Sequence, residues 1–468
     1  MKNMILSVGI DIGTTTTQII FSRISIQNTA SLFLVPEVKI TNSTVIYKSD
    51  IYFTPLISKE EIDLKAIKDI ITLEYQKANI LKNDISTGAI IITGETCRKE
   101  NSKEVLKYLS DFAGDFVVAT AGPDLEAILA GFGAGAALAS KTFTSNVINF
   151  DIGGGTTNAS VFWDGQAIDS FALDIGGRLI QFDNAGTITY VSEKIKPLIK
   201  RLKLNLSLGV IPDFQTLKLL TDVFAKMFLQ LNGENTLDED VEKLFIQHKH
   251  KGINNQFIMF SGGVAEFIYS KEEIKTLDAA TRFGDIGPLL GYSIKKIFEN
   301  IEYKILEPKE KIRATVIGAG SHSLKISGST IVFDDNLLPI KNIPIIKLFD
   351  KDENLTNIYN IICEKLKLYD TTSVAIAFKG PKSPIYLQIK AMSKSIVEAF
   401  KNRSSPIIVI VENDFAKALG QSISNLLKGS KGVICLDKIK VDNGDYVDIG
   451  KSISKVVPVV IKTLIFQK

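Results

Sequence analysis

Cysteine and histidine are scarce in this sequence. Only three of its 468 residues are cysteine and three are histidine. Cys97, Cys363 and Cys435 stand far apart and form no C-x-x-C pair. Iron–sulfur clusters and structural zinc sites need closely spaced thiolates or imidazoles. The distribution therefore argues against both and is typical of a protein in a reducing cytoplasm.

An excess of charge and a long apolar run are missing as well. The 55 Lys and Arg residues nearly balance the 52 Asp and Glu residues, for a net charge of +3, which gives no support for binding to nucleic acid or to a membrane surface. The longest apolar stretch, residues 127–139, is shorter than the roughly 18 residues of a membrane span. The run between Lys2 and Asp11 has no signal-peptide cleavage site. We therefore expect a cytoplasmic protein without membrane segments, of about two to four domains.

The sequence contains one short motif, here called the phrase, that occurs twice. Asp11-Ile12-Gly13-Thr14-Thr15-Thr16-Thr17 near the start is echoed by Asp151-Ile152-Gly153-Gly154-Gly155-Thr156-Thr157. Each copy follows a short apolar run, which predicts a buried strand that ends in a turn. Glycines let backbone N–H groups approach an anion, hydroxyls add donors, and an aspartate can hold Mg²⁺ directly or through water. The two copies predict two lobes that close on one nucleotide.

The second copy is the more specific of the two. An Asp-x-Gly-Thr turn alone is a weak signal, because glycine turns after strands are common. Three consecutive glycines, Gly153 to Gly155, are hard to explain by packing, because each costs about 1 kcal/mol of backbone freedom relative to alanine. Neither copy ends in Gly-Lys-Ser/Thr, so neither is a Walker A loop.

Hydrophobic periodicity predicts alternating helices and strands around the two phrases. Before Asp151 we expect helices over residues 60–81, 102–109 (capped by Ser102) and 127–139, and a strand over 89–92. After Asp151 we expect a hairpin around Trp163-Asp164-Gly165, mostly helix over 192–250, and strands over 257–260, 312–317 and 329–333. This alternation is that of an α/β protein.

The last part of the sequence alternates again and predicts a separate α/β domain. We expect strands over residues 374–378 and 407–411 and helices over 385–400 and 415–427. Asn413 or Asp414 is the expected cap of the last helix. This segment carries no catalytic motif that we can identify.

Five motifs occur in an order that resembles the superfamily of actin, sugar kinases and heat-shock chaperone ATPases. They are the phrase at Asp11, a helix after Pro123 that contains Glu126, the phrase at Asp151, Asp174-Ile175-Gly176-Gly177-Arg178 followed by Asp183, and the adenosine-type motif Met259-Phe260-Ser261-Gly262-Gly263. Residues 284–291 resemble the second connecting helix. The resemblance implies a two-lobed actin-like (ribonuclease H-like) α/β ATPase fold. It implies a first lobe over 1–145, a second over 146–343 and a C-terminal α/β domain over 344–468.

Within that superfamily the sequence is most similar to the ethanolamine ammonia-lyase reactivating factors. The similarity is carried by residues 91–96, 122–126, 313–331 and 444–450. Membership implies a chaperone-like ATPase that binds ATP and Mg²⁺. Its client would be ethanolamine ammonia-lyase, from which it would release damaged cobalamin so that intact adenosylcobalamin can bind. The resemblance also makes a bacterial microcompartment a candidate location, and it leaves a homodimer open.

The resemblance implies a role for each residue of the two phrases and their neighbours. Asp11 and Asp151 would position Mg²⁺ and act in catalysis. The phosphates and the adenosine would be held by Gly13, Thr14, Thr15, Gly153, Gly154, Gly155, Thr156, Gly176, Gly177, Ser261, Gly262 and Gly263. Chaperone ATPases carry a glutamate where this chain has Gly122, so Glu126 or Asp124 is expected to activate water. We therefore expect weak ATP hydrolysis.

Three other functions compete with this hypothesis. A small-molecule kinase of the sugar or acetate type needs a catalytic base beside an acceptor pocket, and the sequence offers no clear candidate. An actin-like scaffold would bind nucleotide and polymerise. An activator of radical dehydratases requires bridging cysteines that this chain does not have.

Overall fold

The computed structural model describes residues 3–28, 38–58, 61–93, 96, 99–113, 117–121, 123–232, 237–299, 301, 304–322, 325–327, 331–348, 358–367, 373–441, 445–452 and 456–463. Some predictions fall on positions outside the described residues, among them those for Gly94, Glu95, Gly122 and Gly444.

The first six strands form one mixed sheet. They are β1 (Asn3–Ile12), β2 (Thr16–Asn28), β3 (Val38–Lys48), β4 (Tyr52–Phe53), β5 (Thr87–Ile92) and β6 (Val117–Ala121). Four helices belong to the same part of the chain: α1 (Leu64–Lys77), α2 (Ser102–Ala113), α3 (Pro123–Ala134) and α4 (Ala136–Phe143). The sheet order is β3-β2-β1-β5-β6, with β4 beside β2. Apolar residues of α1 and α2, such as Ile67 and Val105, join Ile10 and Ile90 of the sheet in one buried core.

The second sheet follows the second phrase. The strands of this region are β7 (Val147–Ile152), β8 (Thr157–Trp163), β9 (Gln166–Leu173), β10 (Ile180–Phe182), β11 (Ile188–Val191), β12 (Phe245–Ile246), β13 (Phe257–Ser261) and β14 (Lys304–Leu306). Its helices are α5 (Lys196–Arg201), α6 (Phe214–Gln230), α7 (Glu239–Glu242), α8 (Ala265–Ile268), α9 (Leu277–Thr281) and α10 (Gly287–Phe298). The sheet order is β12-β9-β8-β7-β13-β14, and β10 pairs with β11 in a separate two-stranded sheet. Phe150, Phe228 and Phe260 pack together in its core.

The second sheet repeats the first. The order β9-β8-β7-β13-β14 matches β3-β2-β1-β5-β6. In both sheets the central strand, β1 or β7, is antiparallel to the strand after it and parallel to its other neighbour. Each phrase lies at the end of that central strand. The chain therefore has the predicted two-lobed actin-like fold. The sequence motif that occurs twice corresponds to a sheet that occurs twice.

A pair of helices joins the two sheets. Helix α11 (Ala314–His322) packs on β1 and on α3, while α3 packs on β7, β8 and β9. The two helices cross at glycines, because an added Cβ at Gly318 would lie 1.9 Å from the carbonyl oxygen of Leu129. A Cβ at Gly133 would likewise lie 1.9 Å from the carbonyl oxygen of Ala314. The backbones therefore touch where the lobes meet.

Helix α11 overturns two predictions. The strand expected over residues 312–317 is wrong, because a helix begins at Ala314. Its β-branched residues favour a strand locally, but its small residues allow the close packing on α3. The second connecting helix expected at 284–291 is also wrong. Those residues begin α10, which packs on α6 and α8 within the second lobe, and α11 takes the connecting position.

The third sheet belongs to the last part of the chain. Its strands are β15 (Lys325–Ile326), β16 (Val332–Phe333), β17 (Ile340–Lys347), β18 (Ala375–Phe378), β19 (Ile407–Val411), β20 (Val433–Leu436), β21 (Asp445–Ile449) and β22 (Pro458–Thr463). Its helices are α12 (Ile358–Leu366), α13 (Tyr386–Ala399) and α14 (Ala416–Leu427). Strands β17 to β20 are parallel neighbours, as the predicted alternation requires. β15 lies beside β3, and β22 lies beside β6.

The domain boundaries stay predictions. β17 runs across the expected boundary between residues 343 and 344.

The expected single helix over 127–139 is interrupted by Gly135, whose φ of 98° separates α3 from α4. The expected cap of α14 is wrong, since Phe415 occupies that position without a side-chain hydrogen bond. None of the helices in the described part of the chain combines the length and apolar composition that crossing a bilayer requires.

Candidate functional site

The two phrases face one cavity of about 490 Å³. We call residues 11–16 the first bend and residues 151–156 the second bend. The predicted site residues that line the cavity are Asp11, Gly13, Thr14, Thr15, Glu126, Asp151, Gly153, Gly154, Gly155, Thr156, Gly177, Gly262 and Gly263. Gly176 and Ser261 lie just behind the wall. The structure thus brings together the glycines, hydroxyls and carboxylates of both lobes.

Both bends have the same turn geometry. The backbone N–H of Gly13 donates to the carbonyl oxygen of Thr16 over 2.9 Å. The N–H of Gly153 donates to the carbonyl oxygen of Thr156 over 3.0 Å. An added Cβ at Gly154 would lie 2.7 Å from the hydroxyl of Thr15. The two bends therefore approach each other closely across the cavity.

Each acidic residue is held by a hydroxyl from the neighbouring parallel strand. Thr93, directly after β5, donates to Asp11 Oδ1 over 2.9 Å. Ser261, at the end of β13, donates to Asp151 Oδ1 over 2.6 Å. Thr315 at the start of α11 also donates to Asp151, to Oδ2 over 3.2 Å. These bonds fix the orientation of both carboxylates.

Burial raises the pKa of both carboxyl groups. The pKa of Asp11 rises to about 7, chiefly through desolvation, with a smaller contribution from the negative charge of Asp151. The pKa of Asp151 rises to about 6, again through desolvation, against which the bonds from Ser261 and Thr315 act. Two buried acids that share a cavity are stabilised in their charged form by a cation.

The donor set fits Mg²⁺. Carboxylate and hydroxyl oxygens are the ligands that this hard cation prefers. No group of three or more Asp, Glu, His or Cys residues in the described part of the chain could hold a metal ion. Asp11 and Asp151 would hold the ion, and water would occupy its remaining positions.

Glycines shape the wall behind the second bend. An added Cβ at Gly176 would lie 2.3 Å from the carbonyl oxygen of Gly154. The next two N–H groups, those of Gly177 and Arg178, donate to the carbonyl oxygens of Gly153 and Gly154. Gly262 has a φ of 84°, and a Cβ there would lie 2.3 Å from the carbonyl oxygen of Ile152. Gly176 and Gly262 thus support the second bend from two sides.

The structure separates the two candidates for water activation. Glu126 is buried and lines the cavity. Asp124 points elsewhere: its Oδ1 accepts a hydrogen bond from Ser170 over 2.8 Å, and it lies 3.0 Å from His248 Nε2. Of the two, only Glu126 is placed to act on a group in the cavity.

Several cavity residues were missed by the sequence analysis. Thr93, Thr315, Arg178 and Asp285 all line the cavity. Thr93 could have been found from its sequence context, since it follows an apolar strand and precedes a glycine as Ser261 does. In register, however, it stands two residues beyond Ile91, the partner of Asp11, whereas Ser261 is itself the partner of Asp151. Thr315 could not have been found from the sequence, because its place in the cavity wall depends on where α11 packs. Burial raises the pKa of Asp285 to about 6.

Three phenylalanines line the same cavity from two lobes. Phe53 on β4 is 81% exposed and Phe283 is 64% exposed. Phe267 lies with its ring centroid 5.9 Å from that of Phe283. These rings give the cavity an apolar part beside its acidic part.

The repeated sheets and the shared cavity define a two-lobed actin-like protein with a glycine-rich acidic bend from each lobe. Residues 3–467 match the family described as ethanolamine utilisation protein EutA. The chain belongs to this family. It is 34% identical to the ethanolamine ammonia-lyase reactivase EutA of Salmonella typhimurium over 99% of this chain and 98% of that protein. It is 33% identical to the reactivase of the same name from Escherichia coli, with the same coverage.

Solved structures with similarity to this chain cover about two thirds of it. The Ppx/GppA family member of Aquifex aeolicus is 14% identical with a TM-score of 0.39, over 68% of this chain and 97% of that chain. EutJ from Carboxydothermus hydrogenoformans is 14% identical with a TM-score of 0.33, over 67% and 89%. MreB5 of Spiroplasma citri, bound to ADP, is 15% identical with a TM-score of 0.31, over 67% and 94%.

Proposed function

We propose that this protein is an ATP-dependent reactivase of ethanolamine ammonia-lyase. It would bind ATP with Mg²⁺ between its lobes and release damaged cobalamin from the lyase, so that intact adenosylcobalamin can enter. The observation that carries the nucleotide part is the pair of acidic, glycine-lined bends that face one cavity. Membership of the EutA family over nearly the whole chain supports the client.

The residues of the cavity suit a triphosphate. Backbone N–H groups of the two bends and the hydroxyls of Thr14, Thr15 and Thr156 would donate to phosphate oxygens from opposite sides. Bound Mg²⁺ would neutralise negative charge on the phosphates next to Asp11 and Asp151. Thr93 and Ser261 hold these two carboxylates in one orientation. Catalysis of this kind depends on positioning and charge, not on covalent chemistry.

Glu126 is our candidate for the residue that orients the attacking water. It is buried, whereas Asp124, two residues earlier, is bound to Ser170 and His248 outside the cavity. We expect hydrolysis to be slow, which suits a protein that acts on a client rather than on a metabolite.

Lobe movement would couple the nucleotide to the client. α3 packs on the second sheet and α11 on the first, and the two helices contact each other through glycines. Closure of the cavity around a nucleotide would therefore change the angle between the lobes at this crossing. We propose that the C-terminal α/β domain presents the docking surface for the lyase. We also propose that the protein acts in the cytoplasm; a homodimer and association with a microcompartment stay predictions.

A reactivation assay tests the proposal. Ethanolamine ammonia-lyase carrying cyanocobalamin is incubated with this protein, adenosylcobalamin and Mg-ATP, and both released cyanocobalamin and recovered lyase activity are measured. We expect recovery that requires ATP and is lost in Asp151→Asn. Asp164→Asn is the matched control, because Asp164 is exposed at a hairpin tip with a φ of 45° that asparagine also adopts.

Each alternative function predicts a different experimental result. Nucleotide binding without any recovery of lyase activity would reject the client and keep the nucleotide site. Transfer of phosphate to a small acceptor would replace the reactivase by a kinase. Nucleotide-dependent sedimentation of the protein alone would replace it by a scaffold.

A further inference from the structure

We propose that the guanidinium group of Arg178 contacts the terminal phosphate of the bound triphosphate and lets the protein distinguish ATP from ADP. The inference rests on the proposed nucleotide site and adds a residue that the sequence analysis did not assign to it.

Arg178 is the sole cation among the described residues that line the cavity. Five carboxylates line the same cavity: Asp11, Glu126, Asp151, Glu266 and Asp285. A triphosphate entering so acidic a space needs positive charge close to it. Magnesium can supply part of this charge at Asp11 and Asp151, and Arg178 adds one positive charge.

The contacts that the guanidinium makes with the described residues are long. Nη1 lies 3.4 Å from the hydroxyl of Thr15, and Nη2 lies 3.4 Å from Gln181 Oε1. Nε is 3.9 Å from Asp285 Oδ2 and forms no hydrogen bond with the described residues, although this atom is buried. Charge-assisted hydrogen bonds of arginine are usually about 2.7–2.9 Å long. The group therefore has strong donors that remain available beside the cavity.

The backbone places this group where the two bends meet. The N–H of Arg178 donates to the carbonyl oxygen of Gly154 over 2.6 Å, which ties the residue to the second bend. Its side chain then runs over Gly154, since an added Cβ there would lie 3.3 Å from Arg178 Cδ. The guanidinium ends beside Thr15 of the first bend. A phosphate gripped by both bends would lie within its reach.

The direction of the side chain favours the terminal phosphate. Gly177, the residue before Arg178, is next to Gly287 and Val264, on the side of the adenosine-type motif. The side chain of Arg178 runs from there between Asp285 and Thr15, and its Nη1 ends beside the first bend. The planar fork of arginine suits two oxygens of one phosphate, which a lysine cannot contact in the same way.

Binding of two nucleotides by calorimetry tests this inference. A non-hydrolysable ATP analogue and ADP are titrated, each with Mg²⁺, into wild type, Arg178→Gln and Arg178→Lys. We expect Arg178→Gln to weaken binding of the ATP analogue by on the order of 10- to 100-fold while ADP binding changes by less than about threefold. Arg178→Lys should fall between wild type and Arg178→Gln, because it keeps the charge and loses the fork.

Arg201→Gln is the matched control, because Arg201 lies at the end of α5 and pairs with Asp240 away from the cavity. Circular dichroism and thermal melting confirm that each variant is folded before titration, and Arg178→Lys keeps the test valid if Arg178→Gln does not fold. An equal loss for both nucleotides, or no loss, would overturn the role of Arg178 and leave the nucleotide site standing. A wild-type protein that binds neither nucleotide would overturn the proposed function itself.

Discussion

Ser261 donates its hydroxyl hydrogen to Asp151 Oδ1 over 2.6 Å, from the end of one parallel strand to the end of the next. Ser261 also accepts a hydrogen bond from Asn149 Nδ2 over 2.9 Å. The three side chains form a buried polar row beneath the second bend. The hydroxyl therefore serves both the stability of the second lobe and the charge state of Asp151.

Replacement of Ser261 by alanine should affect both properties. The change removes one partner from each of two buried groups, which costs about 1–3 kcal/mol of folding stability. It should also raise the pKa of Asp151 further, because the lost bond favours the charged carboxylate. Urea denaturation measures the first effect, and the pH dependence of Mg-nucleotide binding measures the second. Ser207→Ala, at an exposed position, is the control; equal stability of the two variants would contradict the role of Ser261.

Binding of Mg-nucleotide should strengthen as the pH rises from about 5 to 8. The pKa values of Asp11 and Asp151, about 7 and about 6, mean that both carboxyl groups hold protons over much of this range in the free protein. A cation requires their charged forms, so binding releases protons. Calorimetry in buffers of different ionisation enthalpy measures this release, which should shrink in Asp11→Asn. Binding that is independent of pH in the wild type would refute the expectation.

The same shifts predict how the stability of the free protein depends on pH. Carboxyl groups with raised pKa values keep more protons in the folded state than in the unfolded state, whose Asp pKa is near 3.8. The contribution of Asp11 and Asp151 to stability therefore decreases as the pH rises from about 4 to about 7. Chemical denaturation of the nucleotide-free protein across this range measures the slope. Asp11→Asn and Asp151→Asn should each flatten it, whereas Asp164→Asn should leave it unchanged.

Glu126→Gln and Asp124→Asn form a matched pair for the hydrolysis step. If Glu126 orients the attacking water, Glu126→Gln should lower the rate of ATP hydrolysis by about 10²- to 10⁴-fold, with little change in nucleotide affinity. Asp124→Asn should leave hydrolysis near the wild-type rate, because that side chain is bound to Ser170 and His248. Single-turnover hydrolysis and equilibrium binding separate the two effects. Loss of hydrolysis in Asp124→Asn alone would reverse the assignment.

Gly318→Ala should destabilise the protein although it lies in a helix. Alanine is normally favoured over glycine within a helix by about 1 kcal/mol. Here the new Cβ would lie 1.9 Å from the carbonyl oxygen of Leu129, so α3 and α11 must separate. We expect a net loss of about 1–3 kcal/mol in the free energy of unfolding. An increase in stability measured by urea denaturation would show that the helices do not cross as described.

Local signals predicted most of the fold. The short apolar run before each phrase, the glycines of the bends and the hairpin at Trp163-Asp164-Gly165 act over a few residues, and β7, β8 and β9 form as expected. The order of motifs then supplied the two-lobed fold. The repeat also fixed where the bends would meet, since equivalent strands end at equivalent places.

The failures share a different cause. Residues 312–317 were predicted as a strand because their β-branched side chains favour one, whereas the contact of Gly318 with Leu129, distant in sequence, selects a helix. Thr315 and Arg178 enter the site through that helix and through a turn behind the second bend. No spacing rule links these residues to Asp151 or Thr15, so only the folded chain brings them together.

The seating of the C-terminal strands has a mechanical consequence. β15 and β22 lie against β3 and β6, the two edges of the first sheet. A rotation of the first sheet about the crossing of α3 and α11 would therefore move the third sheet with it as one body. Small changes in the width of the cavity would then become larger displacements at the far side of the third sheet.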